Sequence, residues 1–294
     1  MKRRTLIIIG LIVVLTFALA ACGGSKGAQG GGSAASAGFT TIKDGTLTVG
    51  LEGGYPPMEY MDTDGTTLIG FDIDVANQIG KLLGLKVEFV NTAWDGIFAG
   101  LDKGQYDCII SSVSITPERQ TNYLLTDPYV SNRLCIVVNA KNPSGVTSPD
   151  NFSGHTIAVQ VSTTAGDAVD KLIADGAKDI TVNRYEKVTQ CFDDLKLGRV
   201  DAVYVDSVVA SYYTKDDSAT YNRIWINDVG EPMGICMKKG NDQLGAAIEA
   251  AVNTMYYDGT MKQLATKDFG DDFTSGLRDV KAKPTIPPYA GQNS

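Results

Sequence analysis

FDIDVANQIGKLLGLKVEFV, residues 71–90, contains the change of period on which the fold turns. Ile73, Ala76, Ile79, Leu82 and Leu83 recur at helical spacing and give one apolar face to a helix over Phe71–Leu83. Past Gly84 the period shortens, and Lys86–Val90 reads as a strand. Working outward, Thr46–Leu51 is a strand before this unit. Gly96–Leu101 is a short helix after it, and Tyr106–Ser111 another strand. Strands alternating with helices predict a parallel sheet covered on both faces, an α/β fold. The plan then recurs: strand at Thr156–Val161, helix at Ala165–Ala174, strand at Ile180–Tyr185, helix at Val188–Leu197, strand at Asp201–Val205. In both runs a Gly-x-x-Asp precedes the last strand, Gly104–Asp107 and Gly198–Asp201. Two similar α/β lobes are therefore expected. The apolar runs Leu134–Ala140 and Met233–Lys238 flank the second block as crossing points, and two helices over Asn241–Phe269 pack back on the first lobe. The expected boundaries are 45–136 for the first lobe, 137–232 for the second, 233–277 for the return, and 278–294 for a loose proline-rich tail.

The 294 residues suffice for about two domains at roughly 150 residues each. Lys and Arg total 26 against 34 Asp and Glu, a net charge of −8 that argues against nucleic acid as a partner. With His155 as the one histidine, no multi-histidine metal site can be assembled, and no cofactor is expected. Residues 1–21 read as a signal peptide: Lys2, Arg3 and Arg4 precede an apolar run to Ala21 that is short of the roughly 20 residues a membrane span needs. Leu19-Ala20-Ala21-Cys22 looks like a bacterial lipobox, so Cys22 is the expected lipidation site, carrying diacylglycerol and palmitate at the cell membrane. Residues 22–44, rich in Gly, Ser and Ala, then form a flexible tether reaching roughly 25 Å. Cys108, Cys135, Cys191 and Cys236 lie among apolar neighbours without a Cys-x-x-Cys, which favours buried free thiols over disulfides.

A collinear set of motifs resembles one family. It comprises Leu47-Thr48-Val49-Gly50, Tyr55-Pro56-Pro57, Gly70-Phe71-Asp72-Ile73-Asp74, Trp94-Asp95-Gly96, Ser111 to Arg119, Gln160 to Thr164, Asp201 to Asp206, and Asp258-Gly259-Thr260. Together they look like the polar amino-acid-binding proteins of bacterial ABC importers, the family 3 extracellular solute-binding proteins, and among them the basic amino acid- or cystine-binding members. The resemblance spans about Thr46 to Gly270. It implies the two-lobed periplasmic-binding-protein (Venus-flytrap) fold, its lobes joined by two crossover strands and closing on a ligand. The implied function is a monomeric receptor that delivers a free amino acid to an ABC permease with its ATPase subunits.

The chemistry agrees. A free amino acid presents a carboxylate and an ammonium, and burying both requires charged, hydrogen-bonded partners. Arg119 offers a planar fork to the carboxylate and Asp206 a carboxylate to the ammonium, each matching a family contact. Ser111, Ser112 and Ser114 add polar groups at a strand end. Thr163 and Thr164 open a helix whose N–H groups can face the same carboxylate. Tyr55 and Trp94 are expected to sandwich the ligand side chain. Glu52 stands where members for basic amino acids carry an acid; it would meet a distal cation or the second ammonium of cystine. Taken singly, Arg119 would be a solvated helix residue, and Asp206, Thr163 and Thr164 would be helix N-caps. Glu52 would be a loop acid, and Tyr55 and Trp94 lobe packing. Two departures stand out: Met58 follows Tyr-Pro-Pro where an aromatic is common, and Ser162 replaces a glycine before Thr163, altering the loop or adding a hydroxyl to the pocket. Competing functions are a dehydratase acting on cyclohexadienyl acids on the same scaffold, with Glu52 as its acid, and a ligand sensor. The intact Arg119 and Asp206 favour binding without catalysis.

Overall fold

The computed structural model describes residues 38–141, 143–270 and 272–291, so the expected signal peptide, Cys22 and most of the tether lie outside the described residues. β1 (Thr46–Leu51) is buried along its whole length, as an apolar strand inside a parallel sheet must be. Three short strands follow, β2 (Gly54–Tyr55), β3 (Glu59–Met61) and β4 (Leu68–Ile69), which pair antiparallel as a small separate sheet. α1 (Phe71–Leu83) buries the anticipated Ile73, Ala76, Ile79 and Leu83 with Phe71 and Val75, and stops where Gly84 turns left-handed at φ 72°. β5 (Lys86–Asn91), α2 (Ile97–Asp102), β6 (Cys108–Ile109), α3 (Pro117–Asn122) and β7 (Tyr123–Leu125) complete the first pass.

The second lobe runs through β8 (Leu134–Asn139), β9 (Thr156–Gln160), α4 (Thr164–Ala174), β10 (Thr181–Tyr185), α5 (Val188–Lys196), β11 (Ala202–Asp206), α6 (Ser207–Asp216) and β12 (Tyr221–Ile226). The chain then returns through β13 (Cys236–Lys238), α7 (Asp242–Tyr257) and α8 (Thr260–Phe269). The strand orders are β5-β1-β6-β13-β7 and β10-β9-β11-β8-β12. In each sheet two parallel pairings are followed by two antiparallel ones, with β13 in the first and β8 in the second running against the other four strands, so the lobes share one plan. The repeated Gly-x-x-Asp explains part of that likeness. Gly104 and Gly198 both take φ 70° just past α2 and α5, ending those helices. Asp107 then accepts the Thr48 N–H at 2.7 Å, and Asp201 accepts the Thr156 N–H at 2.7 Å. Each aspartate thus ties its own strand to the start of the neighbouring parallel strand.

Three boundaries differ from expectation. Leu134–Asn139 lies wholly within the second sheet, because its two faces are covered there, so the first crossing precedes it. The crossings meet where Val130 and Met233 bridge antiparallel, with Met233 N–H donating to Val130 O at 3.1 Å. The tether ends sooner than expected, since Phe39 is fully buried. The proline-rich tail is held against it: Phe39 N–H donates to Pro288 O at 3.2 Å, Ala290 N–H to Phe39 O at 2.9 Å, and the Phe39 and Tyr289 rings lie 5.4 Å apart. Arg278, at the start of that tail, pairs with Glu249 and donates to Asn253 at 2.7 Å. A local, polar composition does not reveal such long-range pairing. The four cysteines are buried and free.

Candidate functional site

Between the lobes lies a cavity of about 330 Å³ lined mostly by buried residues. Its walls include all ten residues singled out from the sequence: Glu52, Tyr55, Trp94, Ser111, Ser112, Ser114 and Arg119 from the first lobe, and Thr163, Thr164 and Asp206 from the second. Glu59 and Gln160 also line it.

Asp206 ends β11 and stands at the N-cap of α6, yet its carboxylate does not cap that helix. Instead Tyr55 Oη donates to Oδ2 at 2.5 Å and Asn132 Nδ2 to Oδ1 at 2.6 Å, while Asn132 Oδ1 takes the Ser207 N–H at 3.0 Å. The acid is thereby left for the cavity and reached by a donor from the other lobe. Burial, then the charge of Glu231, push its carboxyl up to about 6; the Tyr55, Asn132 and Arg119 interactions pull the other way. Arg119 sits in α3, whose N-cap Thr116 accepts the Arg119 N–H at 3.2 Å. Its guanidinium donates to Ser114 O at 3.0 Å and lies 5.5 Å from the Trp94 ring and 5.1 Å from the Phe98 ring. One indole face therefore carries Arg119, so Trp94 does not present two bare faces as a sandwich partner would. Thr163 caps α4 by accepting the Gly166 N–H at 3.3 Å, and Thr164 Oγ1 donates to Glu231 at 2.6 Å.

The floor is a hydrogen-bonded acid cluster. Ser111 Oγ donates to Glu59 Oε1 at 2.6 Å and accepts the Glu52 N–H at 3.1 Å. Ser112 adopts φ 51°, a left-handed conformation costly for a residue with a side chain. Asp72 holds it there, accepting the Ser112 N–H at 2.8 Å and the Tyr129 hydroxyl at 2.7 Å. Burial, then the neighbouring Asp72 and Glu52 charges, push the Glu59 carboxyl well above the usual carboxylate range, against the hydrogen bond from Ser111. Glu52 is raised too, chiefly by burial, against a hydrogen bond from Gln160 Nε2 to its Oε2 at 3.2 Å.

At the lip the lobes are clasped. Trp94 Nε1 donates to Ser162 O at 2.8 Å and Ser162 Oγ to Asp95 Oδ1 at 2.5 Å. Ser162 keeps the left-handed backbone, φ 56°, that a glycine would favour there. Its hydroxyl does not enter the cavity, contrary to one sequence expectation. Met58 is a core residue.

Sequence reasoning missed Glu59, Gln160, Asp72, Asn132 and Glu231 as parts of this network. Two signals were available. Glu59 is a lone acid in the apolar run Pro56 to Met61, and Gln160 ends a parallel strand, where α/β folds place ligands.

Residues 47–271 match the model of the bacterial extracellular solute-binding proteins, family 3. The chain is 32% identical to the L-cystine-binding protein TcyJ of Escherichia coli over 78% of this chain and 85% of that protein. It is 32% identical to the L-cystine-binding protein TcyA of Bacillus subtilis over 92% of this chain and 99% of that one. Among solved structures, an ancestral arginine-binding protein bound to arginine superposes with a TM-score of 0.72 at 38% identity, covering 77% of this chain and 99% of the other. These relatives are named for the amino acids they bind, and the family is one of extracellular solute-binding proteins. With the shared two-lobed fold and a cavity between the lobes, this chain belongs to the family 3 extracellular solute-binding proteins.

Proposed function

We propose that the cavity binds a polar amino acid carrying a second ammonium, a cationic amino acid or cystine, and that lobe closure presents it to an ABC permease. The observation that carries this reading is the pairing, in one cavity, of Arg119 from the first lobe with Asp206 from the second. Arg119, with the start of α4 at Thr163 and Thr164, takes the α-carboxylate. Asp206 takes the α-ammonium, and Ser111, Ser112 and Ser114 position the ligand against the floor. Glu52 meets the distal ammonium, and Tyr55 and Trp94 wall the side chain. Acids outnumber cations in the cavity lining, which suits a ligand of net positive or balanced charge. The expected lipid on Cys22 would hold a monomer at the membrane, with the Gly/Ser/Ala segment as its tether.

Calorimetry on purified protein, stripped of carried-over ligand by unfolding and refolding, tests the reading. Arginine, lysine, histidine, cystine, glutamine and glutamate would be titrated in parallel. Tight binding of a ligand with a second ammonium supports it. Tight binding of glutamine or glutamate instead would remove the role of Glu52, and no binding would remove the receptor assignment. Arg119→Ala should cost at least about tenfold in affinity, roughly 1.4 kcal/mol, because the α-carboxylate would be buried without its partner.

A further inference from the structure

Beside the cavity, where Glu52 lines it, stands a second pair of opposite charges, Glu52 and the exposed Lys187 just outside the lining. Gln160 Nε2 donates both to Glu52 Oε2 at 3.2 Å and to Glu186 O at 2.9 Å, so one amide joins the first-lobe acid to the turn before α5. The next residue is Lys187, whose N–H is held by Gln190 Oε1 at 3.0 Å. Its stem returns over β2. A Cβ placed on Gly54 would lie 2.6 Å from Glu52 Oε1 and 3.6 Å from Lys187 Cδ, so the acid and the lysine stem flank one bare glycine. A side chain at Gly54 would push into the Glu52 carboxylate.

Both groups have bonding capacity left over. Glu52 Oε1 makes no hydrogen bond among the described residues, and the Lys187 ammonium has no ion-pair partner among them. The Lys187 charge still acts on Glu52, holding it down against the upward push of burial. Glu59 lines the same cavity, but its carboxyl is engaged by the Ser111 hydroxyl at 2.6 Å and the Ser112 hydroxyl at 3.5 Å. A ligand ending in a cation alone would be drawn to Glu52 and repelled by Lys187. A ligand whose far end is itself an ammonium and a carboxylate would match both.

Resting on the receptor reading above, we propose that Glu52 and Lys187 together receive a zwitterionic far end. The preferred substrate is then an amino acid with a second amino-acid end, as in cystine, rather than one ending in a lone cation. Glu52 comes from the first lobe and Lys187 from the second, so such a ligand would bridge the lobes at both of its ends.

Three disulfides separate the charges: cystine, the mixed disulfide of cysteine with cysteamine, which lacks only the far carboxylate, and that with 3-mercaptopropionate, which lacks only the far ammonium. Titrated into ligand-stripped protein, cystine should bind about fivefold or more tightly than the cysteamine disulfide, the scale of a half-exposed ion pair. That ratio should collapse in Lys187→Met and shrink at high salt, because the pair is near solvent. The ratio of cystine to the mercaptopropionate disulfide should collapse in Glu52→Gln. Equal binding of cystine and the cysteamine disulfide, or a ratio that survives Lys187→Met, overturns the role of Lys187. Tight binding of arginine and lysine without cystine overturns it while keeping the receptor reading. Failure of every amino acid tested overturns both.

Discussion

Lowering the pH should weaken ligand binding through one carboxyl group. The unliganded Asp206 titrates at about 6, because burial and the Glu231 charge oppose its ionisation. An α-ammonium needs the ionised form. About nine-tenths of Asp206 is ionised at pH 7, half at pH 6 and about one-tenth at pH 5, so affinity should fall about tenfold between pH 7 and pH 5. Arginine is a suitable probe because its own charges do not change in this window. Calorimetry in two buffers of different ionisation enthalpy should find about half a proton released per ligand bound at pH 6 and about a tenth at pH 7. Asp72 also titrates at about 6, so a control must identify the group. Tyr55→Phe supplies it: the 2.5 Å hydrogen bond from Tyr55 is one of the interactions that favour ionised Asp206. Its loss should move the midpoint upward. A dissociation constant flat from pH 8 to 5, proton uptake in place of release, or a midpoint unmoved by Tyr55→Phe would refute the assignment.

Asp206→Asn should stabilise the unliganded protein while abolishing binding. A folded-state pKa raised from 3.8 to about 6 means that ionised Asp206 costs stability above pH 6, a cost that fades as pH falls toward 4. The gain at pH 7, about 1–2 kcal/mol after one hydrogen bond to Asn132 is compromised, should therefore vanish in acid, as thermal melts at the two pH values would test. Ser162→Gly should split two quantities that usually move together. Relief of the left-handed serine raises the melting temperature, whereas loss of the hydrogen bond to Asp95 weakens ligand binding by about two- to fivefold. Asp95→Ala should show the affinity loss without the thermal gain, and equal affinity in both variants would deny the clasp a part in closure. Removing residues 286–294 should cost about 2 kcal/mol by uncovering Phe39, read as a drop in denaturation midpoint; an unchanged midpoint would mean that the tail contributes nothing.

The parts of this molecule legible in the sequence are those in which a residue's surroundings repeat at short range. β1 reads as a strand because a parallel strand covered on both faces must be apolar throughout, and α1 reads as a helix because one of its faces is. The short strands β2, β3 and β4 do not, since two or three residues are too few to display a period. β12 is hidden differently: it is an edge strand with exposed Asn222 and Arg223, so its composition is that of a loop. The docking of the tail on Phe39 rests on two backbone hydrogen bonds and one ring contact between segments about 250 residues apart, and backbone bonding leaves no mark on side-chain pattern.

The site divides along the same line. Arg119 and Asp206 are visible because each follows a local signal, a Pro at a helix start and an acid ending an apolar strand, within a run of motifs in collinear order. Glu59 and Asp72 act on partners 40 to 57 residues away, and Asn132 on partners 74 and 75 residues away. Asp72 holds Ser112 in a left-handed turn and receives the hydroxyl of Tyr129, which precedes the first crossing, while Asn132, within that crossing, donates to Asp206 and caps α6. The cavity floor and the connection between the lobes are thus joined by buried side-chain hydrogen bonds. Such a network is costly to leave half satisfied. Any ligand that displaces the Tyr55 hydroxyl from Asp206 must therefore replace that bond with one at least as strong, and a charged ammonium does so where a neutral group would not. Selection for an amino acid over a carboxylic acid of the same shape is, on this reasoning, a property of the Tyr55–Asp206–Asn132 chain rather than of Asp206 alone.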